Sequence, residues 1–146
     1  MNIRVYLDNC CFNRPYDDQT QLTVHLEAEA KLFIQGEIIS GRLDLVWSYM
    51  MEYENACNPF KGRREAIGEW REFAKETVLL NPSVKSRQEH YKAMGLKNKD
   101  STHLACAVEA GCGYFITTDA KVLKKGPGIN EIKIVNPIAY VFEPKG

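Results

Sequence analysis

Apolar positions recur along the chain with two periods, one that suits strands and one that suits helices. Ile3, Val5 and Leu7, with Tyr6 among them, make a short apolar run that ends at Asp8 and predicts a buried first strand. Asn13-Arg14-Pro15 breaks the chain. Leu22, Leu26, Ala30, Phe33 and Ile34 then fall at helical spacing and predict an amphipathic helix packed through that stripe, closed by Gly41. Leu43, Leu45 and Val46 predict a second strand that gives out at Ser48. Ser48 in turn suits the N-cap of a helix carrying Met50, Met51, Glu54 and Cys57, ended before Pro59. Residues 61–77 read as a charged helix with Ile67, Trp70 and Phe73 inside, and Val78-Leu79-Leu80 as a third strand. Ser83 is expected to cap a polar helix reaching Gly95, and Asp100 to open a helix over 102–110. Residues 114–117 predict a fourth strand leading to Asp119, and residues 132–135 a fifth, ended by Pro137.

Short buried strands alternating with helices imply a parallel sheet covered on both faces. The expected fold is therefore α/β: a three-layer α/β/α sandwich with a five-stranded parallel sheet. At 146 residues, with no repeat or linker, the chain reads as a single domain over 1–146. No apolar run approaches the ~18 residues of a membrane span, and the start has no secretory h-region, so the expected location is the cytoplasm with no membrane partner.

Composition removes several other classes. Lys and Arg number 19 and Asp and Glu 19, so bulk positive charge does not hold the protein on nucleic acid. Any such partner must be met by particular residues. The five cysteines contain no CxxC pair. Adjacent Cys10 and Cys11 are expected on opposite faces of a strand, and the thiols read as reduced and mostly buried rather than as zinc ligands or a disulfide framework. No GxGxxG or P-loop occurs.

Ligands of open parallel sheets bind outside the carboxyl ends of the strands, and acidic residues fall there. Asp8 ends the first strand, Asp119 follows the fourth, and Asp100 opens the helix that leads into the fourth. In the Ser48 helix, Glu54 shares a face with Met50, Met51 and Cys57, whereas Glu52 faces the other way; Glu54 is the stronger candidate and Glu52 the alternative. Each has a plain structural reading too: Asp100 as an N-cap, Asp119 as a turn residue, Glu54 as a solvated helix charge. Converging carboxylates would repel unless they hold a hard divalent cation, and oxygen donors suit Mg2+ or Mn2+ rather than zinc or copper. Such a cluster suits phosphodiester cleavage. His25 and His90 read as surface or half-buried residues. His103, one turn after Asp100, reads as a core or capping residue before it reads as part of the site.

Four segments taken in order resemble the PIN domain family, the PilT N-terminus-like group that includes VapC-type toxin ribonucleases. They are Val5-Tyr6-Leu7-Asp8, the stretch from Ser48 to Glu54, Asp100-Ser101-Thr102-His103-Leu104-Ala105, and Ile116-Thr117-Thr118-Asp119. The resemblance implies a PIN-like fold, Mg2+ or Mn2+ held by Asp8, Glu54, Asp100 and Asp119 as catalytic acids, and cleavage of single-stranded RNA. It also implies Thr117 as a supporting polar residue, an antitoxin protein as partner and a homodimer, for which Trp70 and Phe73 offer an apolar face. One departure stands out: the family usually follows its first aspartate with Thr or Ser and then Asn, and here Asn9 and Cys10 follow. Asn9 is expected to supply the amide from the neighbouring place. For RNA, Arg14, Lys97, Lys99 and Lys121 are the candidate phosphate contacts, with Lys124 and Lys125 beside them; the plain alternative is solvated surface charge. Two other readings stand beside the nuclease. One is a PIN fold without turnover that binds RNA or protein. The other is a receiver-like phosphoacceptor domain, which the single Asp8 and the Asn81-Pro82 end of the third strand disfavour.

Overall fold

The computed structural model describes residues 2–145. Five strands, β1 (Ile3–Leu7), β2 (Leu43–Ser48), β3 (Ala74–Val78), β4 (Tyr114–Ile116) and β5 (Lys133–Val135), form one sheet in the order β3-β2-β1-β4-β5. Every pairing is parallel. The helices are α1 (Asn9–Asn13), α2 (Leu22–Ile39), α3 (Tyr49–Ala56), α4 (Lys61–Gly68), α5 (Pro82–Ala93), α6 (Asn98–Glu109), α7 (Ala120–Lys125) and α8 (Pro137–Phe142). The chain moves outward from β1 to β2 and β3, then returns to the other side of β1 for β4 and β5. Right-handed crossovers in opposite directions put their helices on opposite faces, so α2 packs with α8 in one layer and α5 with α6 in the other. The expected α/β/α sandwich with its five-stranded parallel sheet is the observed fold. Among the described residues, no helix is long and apolar enough to cross a membrane.

The core is built on the two central strands. Val5, Tyr6, Leu45 and Trp47 are fully buried, Tyr6 stacks on Phe115, and Phe12 meets Trp47 edge-on. A strand covered on both faces buries consecutive residues, which is why β1 and β2 read as runs rather than alternations.

Five local expectations differ from the structure. The stripe Leu22, Leu26 and Phe33 faces outward, Leu22 being 71% exposed. The inner face of α2 is Val24, Glu27, Ala28, Lys31, Ile34, Gln35 and Ile38, and its polar members hide it from a hydropathy pattern. The third strand is Ala74–Val78, not residues 78–80. As an edge strand it buries only Val78 and carries Lys75, Glu76 and Thr77 outward, so it has no apolar run, while Leu79 and Leu80 are exposed. The helix expected over 61–77 accordingly stops at Gly68 and tightens into a 3-10 stretch, Glu69–Phe73. Asn81, not Ser83, caps α5, accepting from the Val84 N–H at 3.0 Å. Cys10 and Cys11 lie on a helix rather than a strand; all five thiols are free and Cys57 is exposed.

Arg14 has partners within the fold. Its Nε donates to Glu27 Oε1 at 2.9 Å and its Nη1 to Asp17 Oδ2 at 3.1 Å, so the guanidinium is engaged within the fold. Glu27 is only 3% exposed, and its other oxygen accepts from the Asn136 amide at the start of α8. This ion pair ties the turn after α1 to α2 and α8. Removing one partner strands a buried charge, so Arg14→Met should cost about 3 kcal/mol in urea denaturation. The double change Arg14→Met with Glu27→Leu should recover most of that loss; equal damage in both variants would show that packing, not charge, is what Arg14 supplies.

Candidate functional site

The sheet order reverses between β1 and β4, and the crevice lies at the carboxyl ends of these strands. Asp8 sits there, 6% exposed. Its backbone N–H continues the ladder to Ile116 O at 2.9 Å, and its Oδ1 caps α1 by accepting from Asn9 N–H at 2.8 Å. Thr117, fully buried beyond β4, donates from Oγ1 to Asp8 Oδ2 at 2.9 Å and accepts from Asp119 N–H at 3.1 Å. Cys10 closes the same corner. Its Sγ donates to Asp8 Oδ2 at 3.5 Å, lies 3.4 Å from Thr117 Oγ1 and accepts from Thr118 N–H at 3.4 Å. The departure at residues 9 and 10 thus divides two tasks: Cys10 supports Asp8, and Asn9 turns to Glu54.

Glu54 arrives from the next strand over. Ser48 ends β2 and caps α3, its Oγ accepting from Met51 N–H at 3.1 Å. That start sets the helical phase, burying Met51 and bringing Glu54, three residues on, to the crevice. Asn9 Nδ2 donates to Glu54 Oε2 at 3.3 Å, and His103 Nε2 bonds to Oε1. Glu52 points elsewhere, accepting from Trp47 Nε1 at 2.7 Å and pairing with Arg71 at 3.0 Å.

His103 is the member the sequence undervalued. It is fully buried, as a core histidine would be, yet its ring joins the acids. Nδ1 lies 2.6 Å from the Tyr6 hydroxyl, which is itself 2.6 Å from Ser48 Oγ, and Nε2 is 3.9 Å from Asp8 Oδ1. Burial alone would lower the pKa of His103, but the bond to Glu54 and the charges of Asp8, Glu54 and Asp100 raise it. Burial works to raise that of Glu54; the bond to His103, its charge and that of Lys99 outweigh burial and lower it. The spacing Asp100-x-x-His103 was the available signal, since it puts both residues on one helix face.

Asp100 stands in the first turn of α6, whose N-cap is Lys97, so it is not the cap it resembled. Half-buried beside Asp8, Asp119 and Glu54, it has its carboxyl pushed up to about 6, by burial first and by those neighbours next. Asp119 caps α7, accepting from Lys121 N–H at 2.8 Å. Beside Asp100 opens a cleft of about 460 Å3 lined by Gly95, Leu96, Lys97, Lys121, Lys124 and Lys125. Gly95 has φ +100°, and Lys125 Nζ lies 3.0 Å from where a Cβ would stand, so a side chain there would crowd the lysine. Lys99 lies apart from this lining, 5.7 Å from the Tyr53 ring centroid.

Donor type at this edge fits a hard cation: four carboxylates and an amide, with repulsion that shows in Asp100. Arrangement is another matter. Among the described residues, no group of three or more His, Cys, Asp or Glu is gathered as a ligand set. Glu54 is turned to His103 and Asp119 to its own helix, so a cation would be gripped only after side-chain rotation.

With chelator present, these groups set a pH profile. The raised pKa of Asp100 means the folded state binds more protons than the unfolded one between the ordinary 3.8 and about 6. Stability from this group is therefore full below pH 4 and lost as pH rises through about 6. His103 has the same sign in a higher window, its contribution fading above its raised pKa; Glu54 has the opposite sign, losing its contribution as pH falls through its lowered pKa. Asp100→Asn should stabilise the protein at pH 7.5 by on the order of 1 kcal/mol, allowing for solvent screening, and flatten the fall between pH 4 and 6. Urea midpoints across pH check this, and a less stable Asn variant at pH 7.5 would count against the crowding of acids.

No protein-family model matches the sequence, and no curated protein is significantly similar to it. Solved structures do match. VapBC2 from Rickettsia felis, bound to a DNA fragment from the promoter, aligns with a TM-score of 0.57 at 11% identity, covering 92% of this chain and 98% of that one. VapBC-1 from nontypeable Haemophilus influenzae aligns with a TM-score of 0.57 at 15% identity over the same shares. At these identities the likeness shows the fold, and that fold is the PIN-like one that the sequence resemblance implies.

Proposed function

We propose that the chain is a metal-dependent endoribonuclease acting on single-stranded RNA, of the VapC-like toxin kind and held by an antitoxin protein. The observation that carries the reading is the juxtaposition at one sheet edge of Asp8, Glu54, Asp100 and Asp119 with the lysine-lined cleft beside Asp100. The fold shared with two VapBC structures supports the toxin kind and the antitoxin partner.

Mg2+ or Mn2+, held by the four acids, would supply charge to the phosphoryl oxygens and acidify a water. The chain's own residues do the rest. Thr117 and Cys10 fix the Asp8 carboxylate, while Asn9 and His103 hold Glu54 at the crevice, from which it would turn to reach a cation. Lys97, Lys121, Lys124 and Lys125 present ammonium groups along the cleft, where successive phosphates of a flexible strand would lie. A local patch of this kind serves a protein whose net charge is zero. The ungathered ligand set favours a second reading, a PIN-fold module that binds RNA without cutting it.

Cleavage of end-labelled single-stranded RNA of mixed sequence, with and without millimolar Mn2+, separates the two. The nuclease reading expects Mn2+-dependent cleavage, reduced at least about 100-fold in Glu54→Gln and changed little in Glu52→Gln. Lys121→Ala with Lys124→Ala should raise KM and flatten the salt dependence while leaving kcat nearly unchanged. RNA binding without cleavage would instead establish the module, and neither binding nor cleavage would remove both.

A further inference from the structure

Away from the acidic edge, a cavity of about 140 Å3 opens between α1, α2 and α4, with Phe12, Tyr16, Lys31, Gln35, Ile67 and Trp70 in its lining. Lys31 is 5% exposed, and among the described residues no carboxylate or other acceptor meets its ammonium. Its nearest favourable contact is the Phe12 ring, whose centroid is 5.3 Å away. Gln35 stands one helical turn further on, also 5% exposed, and its Nε2 has no hydrogen-bond partner. Glu27, one turn before Lys31, is turned to Arg14 and Asn136 instead, which donate to its two oxygens. Arg63 adds a second cation nearby, its guanidinium 5.0 Å from the Tyr16 ring.

A largely desolvated ammonium without an anion and a buried amide without an acceptor are both costly to the fold. Burial accordingly lowers the pKa of Lys31 to about 8. Positions i and i+4 lie on one face of a helix, so the two donors look into the same cavity. One cationic donor and one neutral donor match the two oxygens of a single carboxylate. A phosphate or sulfate, with more oxygens to satisfy, would find too few donors. The remaining walls are aromatic and aliphatic, and the volume is well below the ~300 Å3 at which drug-sized ligand sites begin. We propose that this cavity binds a carboxylate group on a small aromatic or short aliphatic stem, with Lys31 and Gln35 holding the oxygens and Phe12, Ile67 and Trp70 enclosing the stem. Phe12 belongs to the same short helix as Asn9, the residue that holds Glu54, so the occupant rests against an element of the acidic edge.

The carboxylate can come from a free acid or from a glutamate side chain on a partner protein, and two probes separate these sources. The full chain, labelled with 15N, is titrated at pH 6.5 and fixed ionic strength with benzoate, with benzamide as its neutral counterpart, and with the amide-blocked dipeptide mimic N-acetyl-glutamate amide. Benzoate is expected to move the Gln35 side-chain amide and the Trp70 indole N–H to saturation in the millimolar range, with benzamide at least about tenfold weaker. Saturation at the same two signals by the glutamate mimic alone supports the site and assigns it to a partner's side chain. Lys31→Met keeps the stem, removes an unpaired buried charge, and should melt above the parent while losing the benzoate response. Gln35→Leu gives the same reading should that variant fail to fold. Equal responses to benzoate and benzamide, unchanged binding in both variants, shifts confined to the cleft around Lys97 and Lys121, or no saturation by either acid would each overturn the proposal.

Discussion

An imidazole enclosed on all sides links the hydrophobic interior to the acidic edge. On one side His103 meets the Tyr6 hydroxyl, itself joined to the Ser48 hydroxyl that caps α3; on the other it meets Glu54, with Asp8 a little further away. Four elements are thereby fixed by one ring: β1 through Tyr6, the end of β2 through Ser48, α3 through Glu54 and α6 through His103 itself. Such a network is stable only when every member is satisfied, since each would be costly to bury alone. The charge of the acids raises the pKa of the ring against its burial, and the bond between ring and carboxylate orients Glu54. The orderliness of half the site follows from the core, and the crowding at Asp100 is what the core leaves uncompensated.

Legibility in the sequence follows the same division. β1, β2 and β4 could be read from short apolar runs because both faces of a central strand are buried, and the acids at their ends then declared the crevice. Glu54 was separable from Glu52 because Ser48 fixes where α3 starts. The elements that could not be read are those whose pattern is set by partners rather than by water. β3 is a polar edge strand. The inner face of α2 carries Glu27, Lys31 and Gln35, whose burial depends on Arg14, Asn136 and a cavity, none of which a hydropathy pattern contains. Arg14 looked free for the same reason: its partner lies 13 residues on, inside the next helix. His103 is hard to read from sequence because it is a core residue and a neighbour of the acids at once, fully buried yet bonded to Glu54.

The residues after Asp8 support two acids from one short helix. A thiol reaches both Asp8 and Thr117, and the amide one place earlier reaches Glu54. The support of the two acids is shared out differently along α1, and a sulfur, longer in reach and weaker as a donor than a hydroxyl, now stands against Asp8.

The order β3-β2-β1-β4-β5 has a consequence in time as well as in space. β1 is made well before its neighbour β4, which pairs Val5 with Tyr114 and Leu7 with Ile116, more than a hundred residues later. Such distant pairing forms late, after the local helices. Asp8 and Glu54 are therefore synthesised with nothing yet to complete them, and Asp100, His103, Thr117 and Asp119 follow together later in the chain. A nascent or truncated chain lacking β4 has one flank of the crevice open to water and no edge to act from, so whatever chemistry the edge performs is withheld until β4 has been made.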